Sequence, residues 1–285
     1  MSSSLAFGVR MMSNIVRPAA VAGTFYPADP PALRRLLATL LADARCAPPP
    51  QQRSLKALIV PHAGYRYSGP VAARAYADLQ GWRDRIRRVV LLGPVHRVPV
   101  RGVAVPSARV FATPLGDVPV DEQAISRQAD LPQVVVSAAA HAWEHALEVQ
   151  LPFLQAVLPR FTCVPLAVGQ ASAAEVAEVI ERLWSGPETL IVVSSDLSHY
   201  HTDEQARRLD AESLQHILAL DPVLDHAQAC GATPINGLLL AARRHGLLPE
   251  LLDYRNSGDT AGDRSRVVGY AALRFTEADD GVTVH

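Results

Sequence analysis

The sequence predicts an α/β protein in which helices pack on one layered sheet. Short runs rich in Val, Leu and Ile alternate with longer segments in which leucine and alanine recur at helical spacing. Apolar residues make up 49% of the chain and charged residues 19%, which is typical of a globular protein with a substantial core. No change in composition divides the 285 residues, which indicates a single domain over residues 15–285 after a flexible leader at residues 1–14.

The first half of the chain contains three predicted strands and four predicted helices. Leucines spaced for one helix face follow the leader, and a proline-rich connector at residues 46–54 leads into the first apolar run. The elements in order are a helix at 30–44, a strand LKALIV at 55–60, a helix at 72–79, strands at 87–96 and 101–108, a helix from about Val120, and an amphipathic helix at 144–159.

The second half continues the same alternation. Thr233 and Pro234 have the residue types of a helix N-cap and first turn. The elements in order are a strand at 162–169, a helix at 173–184, a strand at 188–201, helices at 203–220 and 233–246, and two strands at 251–259 and 265–275 joined by a loop.

Charge and cysteine usage exclude several classes of protein. The net charge of −1 predicts no nucleic-acid-binding surface, and the chain has neither a GxxxxGK[ST] nor a GxGxxG motif. Cys46, Cys163 and Cys230 form no CxxC pair and are too few for a disulfide framework, which favours a reducing cytoplasm. No apolar run reaches the roughly 18 residues of a membrane span, so we expect no membrane partner.

Three apolar strands each run into a histidine. His62 follows ALIVP, His96 follows VVLLGPV, and His199 follows IVVSSDLS. If the strands are parallel in one sheet, their carboxyl ends share one edge, where open α/β sheets bind their ligands. Imidazole is a common metal ligand and transfers protons near neutral pH. The three histidines therefore predict a functional cleft at this edge, whereas a single such histidine would more often be a loop residue that contacts water.

Cys230 is a second candidate, because it precedes the predicted helix that begins in GATPINGLLL. A sulfur close to a helix N-terminus is expected to have a lowered pKa. The alternative is a small buried apolar residue, the common environment of a free cysteine. Cys163 fits that alternative better, since it lies inside a strand, and Cys46 is expected at the periphery.

HAWEH at residues 141–145 matches the H-x-x-E-H motif of a group of zinc peptidases. One helix would place His141 and His145 on the same face, with Glu144 as a base and Glu212 as a further ligand. A match over five residues is weakly specific, so the peptidase hypothesis remains a minor alternative.

Seven motifs in a fixed order resemble the Memo family. The resemblance extends from Arg17 to Phe275, and the bacterial branch of the family is called AmmeMemoRadiSam system protein B. The motifs are AGTFYPADPPAL, PHAGYRYSGPVAARAY, LLGPVH, EHALEVQLPFL, VVSSDLSHY, CGATPI and YRNSGD followed by VVGYAA.

The resemblance implies a single α/β domain with helices on both faces of the sheet, similar to the class III extradiol dioxygenases. It also implies roles for six residues, whereas His141 lies outside the family pattern. The implied metal ligands are His62, His96 and Cys230, the implied acid/base is His199, and the further pocket residues, which we expect to be catalytic, are His145 and Asp196.

One departure from those dioxygenases affects the expected chemistry. They hold Fe(II) with two histidines and a carboxylate, whereas Cys230 stands in the place of the carboxylate here. A thiolate is softer, so the expected cofactor is iron or copper, with zinc as a further option. The leading hypothesis is a cytoplasmic, metal-dependent oxidoreductase with an unidentified small-molecule or peptide ligand.

Two other functions and one pathway remain open. Human members of the family are described as adaptors for phosphotyrosine-bearing peptides, which implies a non-catalytic module that uses the same cleft, with Arg97 or Arg66 near an anionic group. Metal-independent hydrolysis by His145 and Asp196 is a weaker alternative. The bacterial family name also implies a pathway shared with radical-SAM and AMMECR1-type proteins.

Overall fold

The computed structural model describes residues 16–44 and 54–278. The predicted leader at residues 1–14, most of the proline-rich connector and Cys46 lie outside the described residues. The described strands are β1 Val16–Arg17, β2 Leu55–Val60, β3 Arg88–Pro94, β4 Val103–Val105, β5 Val110–Thr113, β6 Gly116–Pro119, β7 Val134–Val136, β8 Thr162–Val168, β9 Thr189–Ser194, β10 His199–His201, β11 Leu248–Asn256 and β12 Val267–Thr276.

The helices separate most of these strands along the chain. They are α1 Pro30–Asp43, α2 Tyr65–Asp78, α3 Glu122–Ser126, α4 Ala138–Ala142, α5 His145–Glu148, α6 Leu151–Val157, α7 Ala173–Leu183, α8 Asp203–Leu218, α9 Ala232–Arg244 and α10 Ser257–Ala261. Among the described residues, none of these helices combines the length and the apolar composition that crossing a membrane requires.

A nine-stranded sheet forms the centre of the molecule. Its order is β10-β12-β2-β9-β3-β8-β4-β7, with β11 also paired to β12. The four central strands β2, β9, β3 and β8 are parallel, and Val60 at the end of β2 is in register with Ser194 at the end of β9. A small second sheet contains β1, β5 and β6. Because the central strands are parallel, their carboxyl ends lie at one edge of the main sheet.

Helices cover both faces of the main sheet, as the alternation of side chains along β2 shows. Leu58 and Val60 belong to a core that includes the buried faces of α1, α2 and α6. Ala57 and Ile59 belong to a second core with α7, α8 and α9. Successive residues of a strand point to opposite faces, so a strand buried on both faces is apolar throughout. The predicted layered α/β fold is confirmed.

Several local predictions were wrong, and two of them bear on the site. The helix predicted at 144–159 is divided into α5 and α6, because Glu144 caps α5 and Pro152 opens α6 without a backbone N–H to continue the earlier helix. The N-cap of α9 is Gly231 rather than Thr233, and the N–H of Gly231 donates to Ser195 Oγ. The hydroxyl of Thr233 instead contacts His226.

Candidate metal centre

The carboxyl ends of β2, β9 and β3 bring the strand-end histidines into one cleft. His62 lies two residues after β2, and His96 lies two residues after β3. The rings of His62 and His96 are 5.2 Å apart at their centroids and meet edge to face. His199 opens β10, after the turn that follows β9, and lines the same cleft. The three strand-end histidines thus lie together at one edge of the sheet, as predicted.

The cleft has a volume of about 560 Å³ and is unusually rich in imidazole. Six of the ten histidines of the chain line it, and all six residues to which the family resemblance assigns a role are among its walls. Its lining residues are His62, His96, His145, Asp196, His199, Tyr200, His201, His226, Ala227 and Cys230.

Three of these imidazoles form a group that can hold a metal ion. His62, His96 and His145 each offer a ring nitrogen, and these nitrogens all lie within 4.8 Å of one another. The rings of His96 and His145 stack at 4.6 Å. The Nδ1 atom of His145 is buried without a hydrogen bond, although it lies 3.3 Å from Oε1 of Glu144. Three converging imidazoles, one with an unsatisfied buried nitrogen, suit a transition-metal ion.

Glu144 holds the backbone and the ring of His96 in place. Its carboxylate accepts the backbone N–H of His96 at 2.6 Å and contacts His96 Nδ1 at 2.9 Å. Burial alone would raise the pKa of Glu144, but the hydrogen bond and charge of His96 together with backbone N–H groups lower it to about 2. An ionised carboxylate only accepts, so Nδ1 of His96 carries a hydrogen, and Nε2 is the ring nitrogen left for a metal.

His62 is fully buried between two segments of the sheet edge. Its backbone N–H donates to Asp196 Oδ1 at 2.7 Å, and its Nδ1 lies 3.0 Å from Ser194 Oγ. Burial, followed by the charge of His96, lowers the pKa of His62 to about 3. Burial also lowers the pKa of His145 to about 4. Both imidazoles are therefore neutral at pH 7, which is the form that binds a metal.

Cys230 completes the wall beside His62. Its Sγ is 3.3 Å from His62 Nε2 and 3.7 Å from Ser195 Oγ. Burial, followed by the charge of Asp196, raises the pKa of the thiol to about 12. We expected the start of α9 to lower the pKa of the Cys230 thiol. This expectation was wrong for the metal-free protein, because desolvation outweighs the helix dipole at this buried position. A bound cation is the partner that would stabilise the thiolate.

His199 presents one free nitrogen to the cleft. Its Nδ1 lies 2.8 Å from the carbonyl oxygen of Leu197, which can only accept, so Nδ1 carries a hydrogen and Nε2 remains available. The segment is held from behind by Asp210, which accepts the N–H of Ser198 at 3.0 Å and the hydroxyl of Tyr254 at 2.8 Å.

One family model matches nearly the whole length of the fold, from β1 to β12. The model described as "Memo-like protein" matches residues 17–274. The chain belongs to the Memo-like family. The family membership inferred from the seven motifs is confirmed.

Relatives within the Memo-like family cover almost the whole chain. A MEMO1 family protein of Sulfolobus acidocaldarius is 38% identical over 92% of this chain and 99% of its own length. The corresponding proteins of Archaeoglobus fulgidus and Aquifex aeolicus are each 35% identical, over 90% and 91% of this chain and 97% and 99% of their own lengths. A solved structure of the uncharacterized protein JW3007 from Escherichia coli K12 has a TM-score of 0.49 and 14% identity, covering 77% of this chain and 99% of that chain.

The zinc-peptidase hypothesis does not fit this Memo-like chain. His141 belongs to α4, and its Nε2 lies 2.9 Å from the carbonyl oxygen of Ala104, away from the cleft. The chain breaks between α4 and α5, so His141 and His145 do not share a helix face. Glu212 is exposed on α8 and is not part of the cleft wall.

Several residues of the cleft were missed in the sequence. His226 lines the cleft four residues before Cys230, and its Nδ1 lies 3.3 Å from the carbonyl oxygen of Cys230. His201 follows His199 by two residues on β10. The spacings H-x-H and H-x-x-x-C were the available signals. Ser194 and Gln150 act behind the cleft, where only tertiary contacts reveal them. Glu144 was considered only as the base of the peptidase motif, and its contact with His96 was missed.

Proposed function

We propose that this Memo-like chain is a cytoplasmic, metal-dependent oxidoreductase that binds iron or copper and acts on a substrate that enters the histidine-lined cleft. The observation that carries the proposal is the convergence of three imidazoles with a thiol 3.3 Å from one of them. Such a mixed set of nitrogen and sulfur donors suits iron, copper or zinc better than magnesium or calcium.

The proposed ligands are His62, His96 and Cys230. His62 Nε2 and Cys230 Sγ are 3.3 Å apart, which is within the separation of two ligand atoms of one metal ion. One ion can therefore contact both atoms. His145 belongs to the same donor group and is a neighbouring donor whose buried Nδ1 lacks a hydrogen bond.

The surrounding residues have distinct proposed roles. When bound, iron or copper would supply one-electron chemistry of the dioxygenase-related kind that the family resemblance implies. His199 would hold or accept a proton at its free Nε2. Asp196 acts through its hydrogen bond to the backbone of His62 and is a positioning residue in this scheme. The substrate enters the cleft from the side lined by Tyr200, which is largely exposed.

The competing function is a peptide-binding adaptor that uses the same cleft. None of the ten residues that line it is Arg or Lys, and Arg66 and Arg97 are exposed outside that lining. An anionic side chain in the cleft would meet imidazoles without a permanent cation, so this function has less support. A shared pathway with radical-SAM and AMMECR1-type proteins is proposed from the family resemblance alone.

Elemental analysis tests the proposal directly. Untagged protein, purified anaerobically, is compared with His62→Ala and Cys230→Ala by mass spectrometry of its metals, and folding is checked by circular dichroism. Cys163→Ala, at a buried cysteine in β8, is the matched control. We expect near-stoichiometric iron or copper in the wild type and the control, and its loss in the other two variants. Full metal retention in either cleft variant would refute the ligand assignment, and absence of metal from every sample would favour the adaptor.

A further inference from the structure

Two buried polar side chains stand behind His62, on the side away from Cys230. Ser194 is the last residue of β9, and Gln150 precedes α6 within the apolar run EVQLPFL. Both are almost completely inaccessible to solvent. An amide or hydroxyl in such a place is costly unless it is hydrogen-bonded, so their partners show what these residues do.

The orientation of the Gln150 amide is determined by its partners. Its Nε2 lies 2.9 Å from the carbonyl oxygen of Pro61 and 2.8 Å from Ser194 Oγ, and its Oε1 accepts the hydroxyl of Tyr76 at 2.8 Å. In the flipped orientation, Oε1 would face the Pro61 carbonyl, which places two acceptors in contact. Gln150 therefore donates one N–H to Pro61 and the other to Ser194.

The direction of the hydroxyl hydrogen of Ser194 is also determined by its partners. Its oxygen lies 2.6 Å from the carbonyl oxygen of Ala146, which only accepts, so the single hydrogen of Ser194 points there. One lone pair of Oγ receives the N–H of Gln150. The other faces His62 Nδ1 at 3.0 Å, so that contact is a hydrogen bond only if Nδ1 supplies the hydrogen.

We infer that Ser194 and Gln150 are positioning residues which hold His62 in the tautomer with the hydrogen on Nδ1, so that the lone pair of Nε2 faces the metal site. The inference deepens the proposed function and rests on it for its purpose, although the tautomer itself exists without a metal. Nε2 is the atom that lies 3.3 Å from Cys230 Sγ, on the cleft side of the ring. The hydrogen bonds from Gln150 to Ser194 and from His62 to Ser194 form a relay. Because the hydrogen bond made by one ring nitrogen sets whether the other carries a hydrogen, this relay prepares His62 as a ligand.

The relay joins three separate parts of the chain. Ser194 ends β9, Ala146 lies in α5 with Gln150 shortly after it, and Pro61 adjoins His62 after β2. Tyr76 adds an anchor from α2. A glutamine at position 150 is thus explained by its fit between a carbonyl, a hydroxyl and a phenol, where an apolar side chain would leave these three groups without that hydrogen-bond partner.

Nitrogen-15 NMR of the metal-free protein tests the inference. Protein labelled at histidine is compared with Ser194→Ala and with Gln150→Met, which conserves volume, and His62→Gln identifies the His62 signals. Ser213→Ala is the control, because Ser213 is a buried serine that also donates to a backbone carbonyl, on α8. We expect a protonated Nδ1 and an unprotonated Nε2 for His62 in the wild type and the control. Ser194→Ala should mix the tautomers, and Gln150→Met should do so to a smaller extent.

Metal titration of the same proteins adds a second measurement. We expect roughly 10- to 100-fold weaker metal binding in Ser194→Ala than in the control. A wild-type His62 protonated at Nε2, or a tautomer unchanged by Ser194→Ala, would overturn the inference while leaving the metal proposal intact. If the His62 tautomers are as expected but none of the proteins binds metal, the result supports the relay and refutes the proposed function.

Discussion

At the scale of single residues, Glu144 connects the group of three imidazoles to the local backbone. Its carboxylate accepts the backbone N–H and the Nδ1–H of His96, and Oε1 also accepts the N–H of Ala146 at 2.9 Å, which caps α5. A buried carboxylate with this many donors stays ionised. One side chain therefore sets the orientation of His96 and the start of the helix that carries His145.

Glu144→Gln is expected to weaken metal binding by roughly 10- to 100-fold, because a neutral amide accepts more weakly than a carboxylate and no longer fixes the ring of His96. Isothermal titration of the metal-free protein with Fe(II) or Zn(II) measures the change. Glu212→Gln is the matched control, since Glu212 is exposed outside the cleft. Equal affinities for the two variants would show that Glu144 has no part in the site.

At the scale of elements, the His199 segment depends on the close approach of α8 to β12. Asp210 of α8 is completely buried, and its carboxylate holds Ser198 and Tyr254. Gly269 of β12 lies against it, and a Cβ atom at this position would be 2.1 Å from Asp210 Oδ2. Only glycine allows the strand to pass this buried carboxylate without displacing it.

Gly269→Ala is expected to lower the free energy of unfolding by roughly 1 to 3 kcal/mol, because the added methyl group forces α8 or β12 to shift. Urea denaturation followed by circular dichroism measures this change. Gly81→Ala is the control, since a Cβ at Gly81 would meet nothing within 4 Å. If both variants unfold at the same urea concentration, the close approach at Gly269 does not constrain the fold.

The break between α5 and α6 is a second feature at the scale of elements. A continuous helix over residues 144–159 would satisfy the apolar pattern, yet the chain divides at Val149 and Gln150. The division leaves Glu144 as the cap of α5 and turns Gln150 inward to Ser194. Periodicity alone could not predict it, because Pro152 is compatible both with a kinked helix and with a new first turn.

At the scale of the whole molecule, buried neutral histidines make folding depend on pH. Burial lowers the pKa of His141 from its ordinary value of 6.5 to about 4, and His62 and His145 are lowered in the same direction. Between these values the unfolded chain binds protons that the folded chain does not. The contribution of these neutral histidines to the free energy of unfolding is therefore fully present above pH 6.5. It is lost progressively as the pH falls toward 4.

The titration of His141 is expected to contribute roughly 3 kcal/mol to this loss of stability. His141→Gln should retain a hydrogen bond to Ala104 but remove the titration, so its free energy of unfolding should fall less steeply, by up to about 1.4 kcal/mol per pH unit. Urea denaturation of both metal-free proteins from pH 7 to pH 4 measures the two slopes. Parallel slopes would mean that His141 gains no proton on unfolding.

The sequence by itself determined the layered α/β fold, the family and the cleft at the end of the parallel strands. These features depend on apolar runs and on residues at strand ends, such as His62 and His96, which a linear pattern records directly. The tertiary structure decided the distances between donors: it placed nitrogens of His62, His96 and His145 within 4.8 Å of one another, and Ser194 and Gln150 behind His62. The pKa of Cys230 was likewise decided by burial rather than by its place before a helix. The physical reason is that distance and desolvation between residues far apart in the chain arise only when the strands and helices pack.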